Sequence, residues 1–295
     1  MSRVVAARDG LRARDNGPWG VKKLSFLDDY CPSAIQATAR KHHRYYVDLF
    51  AGPGRNVVRG RVGEEFDGSP LRVLRYRSVG PQPIAFTHAV FVNASRKDHE
   101  ALEERVRLTI AEDASRIPAQ NIRCICGDAN AKISTIFAQI PREAYVMVFA
   151  DMEAPSQWPW ESMRALKGFG HRSVDLYTLL PLDMAIVRLI SYQREGRERY
   201  ASTLDQFFGT GGWRELANRR LTEGRSGEMR HGLTELYLNQ MRTLWANAGP
   251  MIDAYVRGQQ RLYRMLFASD HPAAERIATW IKRNTIEGGQ GNLFG

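Results

Sequence analysis

The sequence has no run of about 18 uninterrupted apolar residues, so no membrane-spanning helix is expected. Met1–Gly20 lacks the apolar core of a secretory signal, and Asp9 and Asp15 argue against a transit peptide. Cysteine is scarce, with three in 295 residues: Cys31, Cys124 and Cys126. So few, in an odd number, exclude a disulfide framework and fit a reducing compartment; a cytoplasmic location is the expectation. Cys124 and Cys126 have no second Cys or His pair nearby, so no metal site is expected. They read as small buried hydrophobes on one strand face. There is no internal repeat and no heptad run.

What the sequence has in excess is positive charge, a net +10, and that charge is uneven. Residues 1–44 carry nine Lys/Arg against four Asp/Glu, residues 45–185 carry 17 of each, and residues 186–295 carry 16 against 11. A neutral middle between basic flanks suits a small-molecule domain whose flanks meet a polyanion. It also suits a protein that is merely rich in arginine. The candidate nucleic-acid contacts are Lys22, Lys23, Lys41, Arg44, Arg219 and Arg220, with Arg12, Arg14 and Arg225 beside them.

Along the chain, residues 1–17 show no hydrophobic period and are expected to be mobile. Helical spacing appears through Val21–Tyr30, and a second short helix is expected over Ser33–Lys41 with Pro32 at its start. Together they make residues 1–44 an N-terminal helical cap. A buried strand follows at Arg44–Phe50 and ends in a glycine turn. Arg55–Gly68 is polar and Gly-rich and reads as a loop, with Ser69 as the N-cap of a helix reaching Ser78. Strands at Thr87–Asn93, Asn121–Cys126, Ala144–Ala150 and Ser173–Leu180 then alternate with helices at Lys97–Ile110, Ala131–Gln139 and Trp158–Phe169. That alternation predicts a mostly parallel sheet, with the wholly apolar Ala144–Ala150 near its centre. Residues 183–247 read as helical, Met251–Arg257 and Arg261–Ala268 as a hairpin around Gly258-Gln-Gln260, and Pro272–Lys282 as a last helix. The domain thus spans 45–282, and a Gly-rich tail, 283–295, is expected to fray.

The chemistry-bearing string is Val47-Asp-Leu-Phe-Ala-Gly-Pro-Gly54. A glycine turn at the carboxyl end of the first strand is where open α/β sheets bind ligands. Gly52 and Gly54 allow close backbone approach, and Asp48 can meet a cationic group. The string is not a P-loop, since no Gly-Lys-Ser/Thr follows, and it lacks the third glycine of the dinucleotide fingerprint.

Trp19…Lys22-Lys23-Leu24…Leu27…Tyr30, Tyr46–Gly54, Gly68-Ser-Pro-Leu71, Gly127-Asp-Ala-Asn130 and Leu266–Pro272 occur in that order. Together they resemble the three-Cys-motif partner protein family, TcmP, across roughly Trp19–Lys282. The resemblance implies a Rossmann-like, class I methyltransferase sheet of seven strands, the last two a hairpin, with residues 183–247 inserted over the ligand edge. It implies S-adenosylmethionine (SAM) as cofactor and a three-Cys-motif, radical-SAM-like protein as partner. Two positions depart from that pattern. Asn93 stands where methyltransferases carry an acidic ribose ligand, and Asp151-Met-Glu-Ala-Pro155 stands where Asp-Pro plus an aromatic or Gly is usual.

The expected cofactor residues are therefore Asp48, Phe50, Ala51, Gly52, Gly54, Asn93 and Asp128, with Asp151 as the group facing a methyl acceptor. The three aspartates have plainer alternatives. Asp48 could be satisfied by loop N–H groups, Asp128 could cap the next helix, and Asp151 could be a structural loop carboxylate. Trp158 and Trp160 could stack on a base or fill the core. Two functions follow: a SAM-dependent methyltransferase acting on a nucleic acid or nucleotide, or a non-catalytic SAM-fold subunit of a radical-SAM-like or DNA-processing protein in a phage or defence system.

Overall fold

A computed structural model describes residues 3–17, 19–61, 63–79, 81–194, 199–223, 226–255 and 261–287. The chain opens with β1 (Arg3–Ala6), β2 (Arg12–Asn16), α1 (Trp19–Ala37) and β3 (Arg44–Asp48). Next come β4 (Arg55–Val58), β5 (Glu65–Asp67), the short α2 (Ser69–Val73) and β6 (His88–Asn93). Helices and strands then alternate through α3 (Arg96–Ala111), β7 (Ile122–Cys126), α4 (Ala129–Phe137), β8 (Tyr145–Ala150), α5 (Trp160–Gly168) and β9 (Ser173–Leu180). Four helices follow: α6 (Val187–Arg194), α7 (Arg199–Phe208), α8 (Trp213–Glu223) and α9 (Ser226–Arg242). The described chain closes with β10 (Asn247–Tyr255), β11 (Arg261–Ser269) and α10 (Pro272–Ile281).

The main sheet has seven strands in the order β10-β11-β9-β8-β3-β6-β7. Strands β7, β6, β3, β8 and β9 run parallel, while β11 is antiparallel to β9 and pairs with β10 as a hairpin. The expected architecture is the one observed. β8 lies at the middle and is buried along its whole length, because a strand covered on both faces can carry an unbroken apolar run. Among the described residues no helix is long and apolar enough to cross a membrane.

Five local expectations change. Residues 3–16, expected to be mobile, form a hairpin, and Arg55–Gly68, expected to be a loop, contains two strands. These pieces make a second sheet, β1-β2-β4-β5, in which β2 runs parallel to β4. The strands are three to five residues long, too short to carry a period that a sequence window could detect. The two expected N-terminal helices are one, with Pro32 inside it. An interior proline costs about 3 kcal/mol, and the burial of Leu24, Phe26, Leu27, Tyr30, Cys31, Ala34 and Ile35 along a single helix outweighs it. Finally, Ser69 is not the helix cap. Gly68 takes that place with no side-chain bond, which frees the Ser69 hydroxyl for another partner. The edge strand β7 also leaves Cys126 exposed and Cys124 half-buried, so neither is the fully buried hydrophobe expected. The turn at Gly258-Gln-Gln260 and the residues from 288 onward lie outside the described residues.

Helix α1 is fastened to the sheet by rings and by one buried carboxylate. Phe26 packs on Tyr177 at 4.5 Å and on Phe267 at 5.6 Å between centroids, and Tyr30 meets Phe267 edge-on at 4.8 Å. The Tyr30 hydroxyl donates to Asp175 Oδ2 at 2.5 Å and Tyr145 donates to the same oxygen at 2.8 Å. Burial pushes the Asp175 carboxyl up, and hydrogen bonds from Ser269, Tyr30 and Tyr145 oppose that shift. Tyr145→Phe is therefore expected to lower unfolding free energy by about 1.5–3 kcal/mol, the range for a bond to a charged group. Urea denaturation at pH 8 measures it; a loss under about 0.5 kcal/mol would show that Tyr145 does not hold Asp175.

Candidate functional site

The glycine turn follows β3 and is flanked by the carboxyl tips of β6 and β8. Gly52 and Gly54 sit at φ +62° and +83°, a region that favours glycine. A Cβ on Gly54 would come within 2.8 Å of Leu102 Cδ1, whereas a Cβ on Gly52 would meet nothing within 4 Å, so the turn is packed from behind and open in front. Neighbouring strands pin it. Ala51 N donates to Val92 O at 3.0 Å, and Gly68 N to Gly54 O at 2.8 Å. Ala51 is buried, and Phe50 is half-buried, edge-on to Trp158 at 5.9 Å. The N–H groups of Gly52 and Gly54 have no hydrogen-bond partner among the described residues.

Asp48 lies at the base of the turn and is fully buried. Its Oδ1 accepts from Phe50 N at 3.1 Å and its Oδ2 from the Ser69 hydroxyl at 2.6 Å. Ser69 was missed as a site residue because Ser before Pro at a helix start reads equally well as a cap. Burial dominates the carboxyl's ionisation and raises it to about 7. The Ser69 and Phe50 bonds oppose the rise, the Asp151 charge adds to it, and Lys23 reduces it.

Asn93 ends β6 and is buried. Its Nδ2 donates to Gly52 O at 2.9 Å, so the amide braces the turn and turns only Oδ1 to any ligand. Asp128 caps α4, its Oδ1 accepting from Asn130 N at 2.7 Å and Ala131 N at 3.2 Å, and the side chain is exposed. The capping alternative is thus what its geometry shows. Trp158 and Trp160 are buried core residues.

Asp151 follows β8 and is ion-paired with Lys23 of α1. The pair is partly sheltered, at 13 % exposure for Lys23 and 21 % for Asp151, and the Lys23 ammonium sits 5.9 Å from the Tyr263 ring centre. Lys23, expected on a nucleic-acid surface, therefore faces Asp151 at the edge of the site. Arg44 is corrected outright. It is buried, its Nε donating to Ala85 O at 3.0 Å and its Nη1 to Lys41 O at 2.5 Å, so it closes the amino end of the sheet and cannot reach a polyanion. Lys41 donates to Glu143 O at 2.7 Å, and Lys22 is exposed on α1. Arg12 and Arg14 both bond Asp98, and Arg14 also bonds Glu153 at 3.0 Å. Arg219 and Arg220 lie on α8, but their side chains, like Arg225, fall outside the described residues. The insertion reaches the site edge: α7 packs on the turn Pro155–Gln157 after β8. Among the described residues no group of three or more His, Cys, Asp or Glu could hold a metal.

No family model and no curated protein matches the chain. Among solved structures, a Legionella pneumophila protein of family DUF519 is similar over 93 % of this chain and 94 % of its own, with TM-score 0.50 and 9 % identity. A putative methyltransferase from Escherichia coli covers 91 % of this chain and 100 % of its own at TM-score 0.38 and 13 % identity. A putative O-methyltransferase from Klebsiella pneumoniae covers 87 % and 91 % at 0.40 and 8 %. At such identities the likeness is one of fold. With the strand order above, the chain has a Rossmann-like α/β fold, a seven-stranded, mostly parallel sheet closed by an antiparallel hairpin.

The Asp48 carboxyl holds its proton more tightly in the folded chain than in the unfolded one, so folding loses stability as pH rises from about 4 to about 7. Asp48→Asn removes that loss. The variant is expected to exceed the native protein by up to about 4 kcal/mol at pH 8, at 1.36 kcal/mol per unit, with the difference shrinking towards pH 4. Urea unfolding at several pH values measures it, and a variant less stable than the native protein at pH 8 would show the charge to be well compensated.

Proposed function

We propose that the chain binds SAM at the glycine turn and transfers its methyl group to a nucleic acid or nucleotide. The observation that carries this reading is Asp48: a fully buried carboxylate at the switch point of a methyltransferase-type sheet, beside two open N–H groups. SAM brings both charges such a site calls for. Its ammonium matches Asp48, and its carboxylate matches the N–H groups of Gly52 and Gly54. Its ribose would then pass Asn93 Oδ1, and its adenine would lie towards Asp128. SAM carries an activated methyl, so the protein's part is to align it with an acceptor and exclude water. Asp151 is the carboxylate placed to orient an acceptor N–H or O–H. The basic flanks support a polyanionic acceptor, with Lys22 and the arginines of α8 as the remaining contacts.

The resemblance to the TcmP family supports a second reading, a non-catalytic SAM-fold subunit paired with a radical-SAM-like protein. One observation favours it: Asp151 is already neutralised by Lys23. Transfer of tritiated methyl from SAM to total RNA or DNA separates the two, since a non-catalytic subunit binds SAM and labels nothing.

Calorimetry with SAM and S-adenosylhomocysteine tests the pocket itself. Gly52→Val is expected to abolish binding, because a β-branched residue cannot hold the positive φ. Asn93→Asp is expected to weaken it, because a carboxylate oxygen would oppose the Gly52 carbonyl where an N–H now donates. No heat with either ligand at millimolar concentration would end the SAM reading.

A further inference from the structure

The N-terminal hairpin grips one side chain of the main domain. Arg105 of α3 is 2 % exposed. Its Nε and Nη2 each donate to Asp9 at 2.8 Å, one to either carboxylate oxygen. Its Nη1 donates to Arg12 O at 2.6 Å and to Pro53 O at 2.5 Å. Asp9 lies in the turn between β1 and β2, and Arg12 begins β2. The Asp9 carboxyl is held below its ordinary range, chiefly by the Arg105 bond. On the far side of the hairpin, Arg14 is fixed to Asp98 at 2.8 Å and to Glu153 at 3.0 Å.

Pro53 stands between the two positive-φ glycines, and its carbonyl shares a peptide plane with the Gly54 N–H. In a trans peptide those two groups point in opposite directions, and no cis bond is present among the described residues. A guanidinium holding the Pro53 carbonyl from the α3 side therefore aims the Gly54 N–H away from α3. Asn93 fixes the preceding plane by holding Gly52 O; that plane ends on the Pro53 nitrogen and carries no N–H. Both planes of the turn are thus set by side chains: one from β6, the other from α3 by way of the hairpin. The guanidinium fork suits this task because it meets a carboxylate with two parallel bonds and keeps a third nitrogen for carbonyls; an ammonium cannot do both.

We propose that Arg105 is a positioning residue of the glycine turn, held in place by the N-terminal hairpin, so that residues 3–16 are an integral part of the cofactor site. The proposal rests on the SAM reading for its ligand but not for its geometry.

The test uses the full chain and two readouts. The variants are Asp9→Ala, Arg105→Lys and the double variant; Asp9→Ala keeps Arg105 and removes only its carboxylate partner, and serves if Arg105→Lys fails to fold. The first readout is S-adenosylhomocysteine affinity by calorimetry, well below the melting temperature. Each single variant should bind about 10- to 100-fold more weakly, the loss set by one or two bonds to a charged group. The double variant should be no weaker than Arg105→Lys alone, because both substitutions break one linkage. The second readout needs no ligand: the Gly54 amide resonance should move in Asp9→Ala, while that of Gly170, which precedes β9 at the opposite, amino end of the sheet, stays. Affinity within twofold of the native protein in folded variants, with Gly54 unmoved, overturns the proposal and leaves Arg105 as a fold contact. If the native chain does not bind the ligand, the SAM reading fails, and the Gly54 resonance alone decides the role of Arg105.

Discussion

The structure turns on a carboxylate that water cannot reach. Asp48 is fully buried at the tip of β3, with one hydroxyl and one N–H as its hydrogen-bond donors. Taking a charge out of water costs several kcal/mol unless the remaining lone pairs are well satisfied. Two bonds fall short of that, which is why burial dominates the ionisation of this group. In the proposed reading a bound ligand supplies the missing partner. Around the carboxylate lie a turn open in front, two positive-φ glycines, and a hydroxyl from the start of α2 that donates to Asp48 Oδ2.

A second constraint is that the turn must not relax. A strand tip with two positive-φ glycines has few conformational limits of its own. Here the limits come from outside, through Asn93 on one peptide plane and Arg105 on the next. The small sheet β1-β2-β4-β5 serves the same end, since β4 leaves the turn directly and is paired to β2. The loop after β8 is handled similarly. Both its carboxylates, Asp151 and Glu153, are paired with cations from the chain before β3, namely Lys23 and Arg14. Much of the positive charge at the N-terminus is thus internal wiring between the first 25 residues and the edge of the sheet.

The main sheet was legible in the sequence because its strands are apolar, regularly spaced and separated by amphipathic helices. The unbroken Ala144–Ala150 run even located the central strand. The glycine turn was legible for a different reason: Gly52 and Gly54 answer a backbone requirement that other residues meet poorly. What escaped was contact at long sequence range. Residues 3–16 carry no period, and their order comes from Asp98 and Arg105, about 90 positions away, which no local window includes. Arg44 and Lys23 were placed on a polyanion surface because charge count ignores burial, and one of them closes the amino end of the sheet while the other faces Asp151. Ser69 was assigned the commoner of two roles for a serine before proline, and the fold uses the other.

The central claim is that the glycine turn and Asp48 form one cofactor pocket. The most direct measurement is a crystal structure of the full chain soaked with S-adenosylhomocysteine. The account predicts the ligand's ammonium within hydrogen-bonding distance of Asp48, roughly 3 Å, its carboxylate on the Gly52 and Gly54 N–H groups, and its adenosine running past Asn93 towards Asp128. Ligand density elsewhere, for instance in the cleft of about 310 Å³ between β10 and α10 lined by Arg242, Met251 and Glu275, with the turn unoccupied, would contradict it.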